Sequence, residues 1–450
     1  MTKSADTHSF VLYVTLIIMI FSSFLPKDFK VITGIFSSLR SRNYRIYFVG
    51  QGISIVGTWM QNVALSWLVY RLTGSVFLLG LVGFTSQIPT FFLSPFTGVI
   101  TDRYNRLKIM TLTQVLFMLQ ALTIALLVLF NHIDVWQIIA LSIVFGVITA
   151  FDAPARQSLV IDLIDDPKDL GNAIALNSAI FNAGRLVGPA IAGVAIAVVG
   201  EGICFLLNTI SFVAVIIALL QIKIPVKEVT LHRDNFKKSF SEGFHYTFQS
   251  MPIRTLIIIL AILSLIGFSF VVVLPAYAKE LLHGSSDTLG YLMSAMGAGA
   301  LFGAIYMASR KTVLGLGRII AGNIIVLGIA ILVSSFSDKM WFSLIVFSFG
   351  GFSMILSLSA INTMLQTIAE ENKRGRVMSF YAMALMGTSP IGSLLAGTLA
   401  SGIGIPYTLL LSGIITILTG VWLWVNLKKL RKHILPIFRN KGILPELPTD

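Results

Sequence analysis

"LGNAIALNSAIFNAGRLVGPAIAG", Leu170 to Gly193, lies over "RGRVMSFYAMALMGTSPIGSLLAG", Arg374 to Gly397, and the register puts Gly171, Gly188 and Gly193 on Gly375, Gly392 and Gly397. A second pair keeps the same order, with "SVFLLGLVGF" from Ser75 over "SSDTLGYLMS" from Ser285. The chain therefore reads as two related halves. Between them lies its longest charged loop, "KIPVKEVTLHRDNFKKSFSEGFHYTFQSMPIR", Lys223 to Arg254.

Composition says what the halves are made of. The chain has 450 residues, 56% hydrophobic and 12% charged, whereas soluble domains average about 45–50% and about 25%. Runs of roughly 20 apolar residues are needed to cross a hydrocarbon core of ~30 Å. Twelve occur, near 46–69, 76–100, 109–130, 135–151, 173–199, 202–222, 255–277, 289–308, 317–336, 340–361, 377–400 and 405–426. The fold class is an all-α membrane protein of twelve transmembrane helices in two six-helix pseudo-repeats. Its expected divisions are an N-terminal extension (1–37), a first bundle (38–222), a basic linker (223–254), a second bundle (255–427) and a basic tail (428–450).

Lys and Arg provide an independent check, because cytoplasmic loops retain them and translocated loops do not. Of 33 basic residues, 28 fall in alternate loops and the two terminal segments on one side. Only Arg71, Lys279 and Lys339 lie opposite, with Lys3 before the first apolar run and Arg185 inside a span. A miscount of one span would destroy this asymmetry, so it supports both ends of the core being cytoplasmic. The net charge of +13 is then explained by loops facing anionic lipid, and nucleic acid is not needed as a partner. Cys204 is the single cysteine, which excludes an internal disulfide. Phe10 to Leu25 is apolar over 16 residues, short for a span. It reads as an extension at the membrane surface or a non-native start; as a thirteenth helix it would leave only Met1–Ser9 outside.

Absences narrow the driving force. No G-x-x-x-x-G-K-[ST], H-E-x-x-H or G-x-S-x-G occurs, and all six histidines lie outside the spans. These are the commonest phosphate-loop, zinc and serine-hydrolase signatures. The expectation is no enzyme, no cofactor and no metal. Six-span repeats joined by a basic linker instead suggest a secondary transporter with its site between the halves.

Two polar stripes are candidates for that site. In "GQGISIVGTWMQNVALSW", Gly50 to Trp67, the residues Gln51, Ser54, Thr58, Gln61 and Asn62 fall within an arc of about 100° at 100° per residue. Unpaired polar groups in hydrocarbon cost several kcal/mol each, so the stripe faces protein or a water-filled cavity. Hydrogen bonding between helices without any ligand is the alternative. On the fifth span Ser178, Asn182 and Arg185 form a second stripe; Gln87 and Asn362 are weaker candidates. Arg185 sits ~21 Å from the inner end of its helix at 1.5 Å per residue, and none of the 20 acidic residues lies mid-span. Backbone carbonyls and nearby amides could satisfy it, or its counter-ion is an acidic substrate.

"GVITDRYNRLK", Gly98 to Lys108, resembles the loop between helices 2 and 3 of the major facilitator superfamily, roughly G-x-L-A-D-R-x-G-R-R/K. Gly98, Asp102, Arg103, Arg106 and Lys108 match, while Thr101 replaces Ala and Asn105 replaces Gly. Asn tolerates the left-handed turn that Gly would supply. The resemblance implies a gating latch, in which Asp102 caps the start of helix 11 near Gly375 and Arg106 pairs with Asp152 in "FDAPARQ" at the end of helix 4. "NAGRLVGPAIAG", Asn182 to Gly193, resembles the helix 5 motif of exporters in that superfamily. With "PARQSLVIDLI" it is similar to the subgroup of enterobactin exporters and macrolide efflux proteins, over about residues 38–430. Gly184, Gly188, Pro189 and Gly193 are expected to allow close helix packing. The resemblance implies helix 1 lining a central cavity and a monomeric, proton-coupled exporter in the bacterial inner membrane. Its cargo would be a siderophore or related metabolite, or alternatively a macrolide or other drug. An uptake carrier for a polar nutrient is the rival class.

Overall fold

The structure is a computed structural model that describes residues 37–223, 236–310 and 312–443, apart from the side chains of Pro95, Val99, Asp102, Asn372 and residues 236–241. Phe10–Leu25 lies outside the described residues. Two sets of six long helices follow one another, because a chain in lipid must satisfy its backbone groups within each segment. The first set is α1 (Arg42–Thr73), α2 (Val76–Arg103), α3 (Arg106–Leu129), α4 (Val135–Asp162), α5 (Leu170–Val199) and α6 (Glu201–Leu220). The second is α7 (Met251–Leu281), α8 (Ser286–Ser309), α9 (Leu316–Ser334), α10 (Met340–Ile368), α11 (Arg374–Ile403) and α12 (Ile405–Asn440). No strand occurs among the described residues.

Eleven of these helices are long and apolar enough to cross a membrane; α1 is the exception. The cause is the polar stripe, since five amides and hydroxyls between Gln51 and Asn62 dilute an otherwise apolar helix.

The internal repeat reappears in the packing. In the first half α2 packs on α4, α3 on α6 and α3 on α4; in the second α8 packs on α10, α9 on α12 and α9 on α10. Even the turns correspond. Gly200 between α5 and α6 has φ 82°, and Gly404 between α11 and α12 has φ 87°, a backbone region that only glycine enters without strain.

The halves meet along α5–α8 and α2–α11. Four glycines make the contact. A Cβ on Gly193 would lie 2.9 Å from the Cα of Gly290, and one on Gly80 would lie 2.9 Å from the Cα of Gly397. Each pair maps on to the other in the repeat. All four lie toward the end with few basic loops, where the Tyr70 hydroxyl also donates to Glu280 of α7. At the basic end Gly98, Gly171 and Gly375 have nothing within 4 Å of a built Cβ. The halves are thus closed against each other at the less basic end.

Two helices run further than hydropathy suggested. α4 continues through Pro154 to Asp162, ten residues past Asp152. α12 runs 36 residues to Asn440, so the tail begins as a continuation of the last span. The linker contains a helix, Phe236–Gln249, docked on the start of α11: Glu242 pairs with Arg376 at 2.7 Å, Phe248 meets Phe380 edge-on, and Lys373 stands 4.5 Å from the Tyr246 ring.

Candidate functional site

A cavity of about 270 Å³ lies between α1, α2, α3 and α4 of the first half and α7 and α8 of the second. Its polar lining is Gln61, Asn62, Ser66, Ser86, Gln120 and Ser142, and its apolar lining includes Trp59, Phe145, Pro275 and Met293. No charged residue lines it among the described residues. On the α7 side the wall is irregular backbone: Phe268 N–H donates to the carbonyl of Leu263, five residues back, at 2.8 Å, and Val271, Val272 and Pro275 of that stretch face the cavity. Wider turns of this kind recur at functional sites.

The α1 stripe divides in two. Asn62 is exposed and lines the cavity. Gln51, Ser54 and Gln61 are 1%, 2% and 2% exposed, packed within the first bundle, with Gln61 reaching the inner wall of the cavity. Gln61 Nε2 donates to Gln120 Oε1 of α3 at 3.1 Å, and its Oε1 accepts from Asn208 Nδ2 of α6 at 2.7 Å. Gln120 in turn donates to the carbonyl of Leu141 in α4 at 3.3 Å. This chain of amides ties four helices together, the arrangement a buried polar group needs. Gly57 makes room for it, since a Cβ there would overlap Asn208 and Ser211. Thr58 Oγ1 donates to the carbonyl of Ser54 at 2.9 Å, satisfying itself within its own helix, and Gln51 Oε1 finds no partner among the described residues. Gln120, Asn208, Ser66, Ser86 and Ser142 were not found from sequence. Hydroxyls and amides are scattered along these helices, and only the assembly of helices gathers these five.

On α5, Ser178 is exposed and Asn182 half-buried; Asn182 Nδ2 donates to the carbonyl of Ser178 at 2.9 Å. Arg185 turns to the boundary between the halves. Its guanidinium carbon is 5.8 Å from the centre of the Trp59 ring, and Nη2 is 3.7 Å from the Met354 sulfur of α10. No carboxylate of the described residues pairs with it. The amides proposed to satisfy it, Gln51, Gln61 and Asn182, do not reach it. Gln87 links the halves, accepting from Ser389 Oγ of α11 at 2.8 Å. Asn362 accepts from Gln366 within α10 at 2.6 Å.

Gly184 and Gly188 receive α1. A Cβ at Gly188 would come within 2.5 Å of Trp59 Cβ, and one at Gly184 would overlap Ile55. Gly193 serves the other neighbour, α8, and Pro189 is buried between the two. α5 thus positions Trp59 and Arg185 together.

The expected pairing of Arg106 with Asp152 is corrected by the structure. Arg106 pairs with Asp162 at 2.8 Å, because α4 does not end at "FDAPARQ" and its terminal acid is Asp162. Asp152 is 2% exposed and pairs with Arg156 one turn on, while Thr113 Oγ1 and Gln114 Nε2 of α3 donate to its Oδ1 at 2.9 and 2.6 Å. Asn105 is also not left-handed. With φ −64° it caps α3, accepting from Lys108 N–H at 3.1 Å. Gly98 and Arg103 lie in the last turns of α2, and Arg103 is exposed. The Asp102 side chain lies outside the described residues.

Residues 33–435 match the family described as transmembrane secretion effector. The staphyloferrin A transporter of Staphylococcus aureus is 26% identical over 85% of this chain and 96% of its own. Macrolide efflux protein A of Streptococcus pyogenes is 20% identical over 85% and 95%, and multidrug efflux pump Tap of Mycolicibacterium fortuitum 25% identical over 83% and 91%. Among solved structures, a bacterial homologue of the human lysosomal transporter Spinster superposes with a TM-score of 0.67 at 13% identity, covering 88% of this chain and 98% of that one. A POT family transporter does so with a TM-score of 0.70 at 12%, covering 86% and 96%. These likenesses are to transporters rather than to enzymes, and no group of three or more metal-ligating side chains occurs among the described residues. The chain is a member of the transmembrane secretion effector family, a multi-pass secondary transporter with the major facilitator fold.

Proposed function

We propose that the protein exports an anionic, amphipathic small molecule, a siderophore or related metabolite, across the bacterial cytoplasmic membrane by proton-coupled alternating access. Trp59 is the observation that carries this reading. Its side chain lines the cavity between the halves, and Arg185, a guanidinium with no carboxylate partner, stands over its ring. A central Arg costs roughly 2.5–3.5 kcal/mol on insertion scales, more than one cation–π contact of about 0.5–2 kcal/mol returns. An acidic cargo entering from the basic end supplies the missing charge. The neutral amides and hydroxyls of the cavity then hold its uncharged part, and closure at the basic end with opening at the glycine crossings releases it outside. With the basic loops cytoplasmic, that direction is export.

A neutral drug is the second reading, favoured by the uncharged lining of the cavity and by the relatives named for macrolide and multidrug efflux. Inverted membrane vesicles under a proton gradient separate the two. Arg185→Gln is expected to lower uptake of a carboxylate or catecholate chelator at least tenfold and leave an uncharged drug within twofold. Arg185→Lys, which keeps charge but loses the planar fork, falls between. Equal rates for anionic cargo in the parent and Arg185→Gln would refute the acidic-cargo reading. Accumulation in whole cells but not in inverted vesicles would indicate an uptake carrier.

A further inference from the structure

α12 is too long for the membrane it crosses. Its 36 residues, Ile405–Asn440, span ~54 Å at 1.5 Å per residue, whereas the hydrocarbon core is ~30 Å thick. Some 20 residues suffice to cross, so the helix leaves the core near Trp424. Trp422, Trp424 and Val425 are 51%, 50% and 71% exposed, and Trp is enriched where a helix meets the headgroups. The next turns carry Lys428, Lys429, Arg431 and Lys432, all exposed.

Beyond the core the helix has two faces. Leu430, Ile434 and Phe438 are buried against the second bundle, within an arc of about 80° at 100° per residue. The four cations occupy about 160° of the opposite side by the same count, continuous with Trp422, Trp424 and Val425 above them. Packing on the first face fixes the second. The far end is also tied down, since Lys441 Nζ donates to the carbonyls of Thr367 and Ala369 at the end of α10, at 2.7 and 2.6 Å.

Some cations at this end of the molecule have carboxylate partners, Arg106 with Asp162, Arg156 with Asp152, Lys373 with Glu370, Arg374 with Glu371 and Arg376 with Glu242. Others, such as Arg40, Arg42 and Arg45, have none among the described residues but are not gathered on one helix face below a row of exposed tryptophans. None of the four on α12 has one among the described residues. Four like charges within five residues repel one another, and α12 holds them together at the depth of the headgroups.

We propose that this face of α12 is a docking surface for anionic phospholipid headgroups of the leaflet at the basic end, with the acyl chains lying along Trp422, Trp424 and Val425. Basic clusters placed immediately after a transmembrane helix bind such headgroups, each Lys or Arg contributing roughly a fivefold gain. The docked lipid engages the second bundle alone. It therefore tethers that half to the leaflet while the first half moves.

The test needs neither a transport substrate nor a membrane orientation, so its failure would leave the export reading untouched. The purified full chain, in detergent with equimolar phosphatidylglycerol and phosphatidylcholine, is examined by native mass spectrometry. The parent is expected to retain phosphatidylglycerol at least tenfold over phosphatidylcholine. A variant with Lys428→Gln, Lys429→Gln, Arg431→Gln and Lys432→Gln should bind it roughly 600-fold more weakly with an unchanged melting temperature in detergent. Replacing the three lysines by Arg should keep binding within twofold. A control with Arg40→Gln, Arg42→Gln and Arg45→Gln at the start of α1 should lose little. Equal retention of the two lipids by the parent, undiminished binding in the Gln variant, or as large a loss per charge in the control would overturn the proposal.

Discussion

Gly193→Ala tests whether the glycine crossings set the balance between the two conformations. A Cβ at this position would lie 2.9 Å from Gly290 Cα, 2.9 Å from the Ser286 carbonyl oxygen and 3.1 Å from Asp287 Cα. Carbon atoms rest at about 3.5–4.0 Å, and every one of these atoms is backbone, so no rotamer change relieves the overlap. α5 and α8 must part by about 1 Å. Overpacking of this kind costs about 1–3 kcal/mol. Only the conformer closed at the less basic end bears that cost, because the contact does not exist once the halves separate there. At 1.4 kcal/mol per tenfold change, about 2 kcal/mol lowers the closed population about 30-fold relative to the open one. The assay uses the single cysteine to advantage: with buried Cys204 replaced by Ser, Ser66→Cys places a thiol in the cavity wall. Labelling of intact cells by a membrane-impermeant maleimide should accelerate in Gly193→Ala, by up to about 30-fold where the outward-open conformer is rare in the parent and by at most about twofold where the conformers start near balance. Gly80→Ala should do the same through Gly397, and Gly402→Ala, with nothing within 4 Å, should not. Equal labelling in Gly193→Ala and Gly402→Ala, with normal transport in both, would refute the reasoning.

Asp152→Asn removes the charge that Arg156 faces inside the first bundle. Breaking a buried pair costs about 3–5 kcal/mol, and because Arg156 keeps 25% of its side chain exposed the lower end applies. A lowered melting temperature in detergent, largely restored by adding Arg156→Gln, is the expected result; no recovery in the double variant would exclude the pairing as its cause. Gly299→Ala places a methyl on the Ser348 carbonyl oxygen of α10, within one half rather than between halves. It should reduce folded yield and melting temperature by roughly 5–10 °C without favouring either conformation, and faster cavity labelling at unchanged stability would contradict that placement.

How much was legible in the sequence depended on whether a property is additive along the chain. Hydropathy and basic charge are, because each span meets lipid and each loop meets water largely on its own account. The twelve helices and the two halves followed from them, and so did the anomaly of α1, since polar residues within one arc of one helix cannot all face hydrocarbon. Helix ends were less legible. A helix does not stop where lipid stops, so α4 runs to Asp162 and α12 to Asn440, and with α4's true end Arg106 acquired a different partner.

Which polar group meets which is decided by helices that are distant in sequence and ångströms apart in space. Gln61 and Asn62 are neighbours in one stripe and both border the cavity, yet rotation by a single residue, about 100°, buries Gln61 in an amide chain with Gln120 and Asn208 and leaves Asn62 exposed. No pattern within α3 or α6 marked those partners. The repeat aligned Gly193 with Gly397 and Gly80 with Gly290, but that Gly193 touches Gly290 and Gly80 touches Gly397 is a fact of tertiary structure. It follows from packing α5 against α8 and α2 against α11 about a shared pseudo-symmetry, where only residues without side chains let two backbones approach so closely.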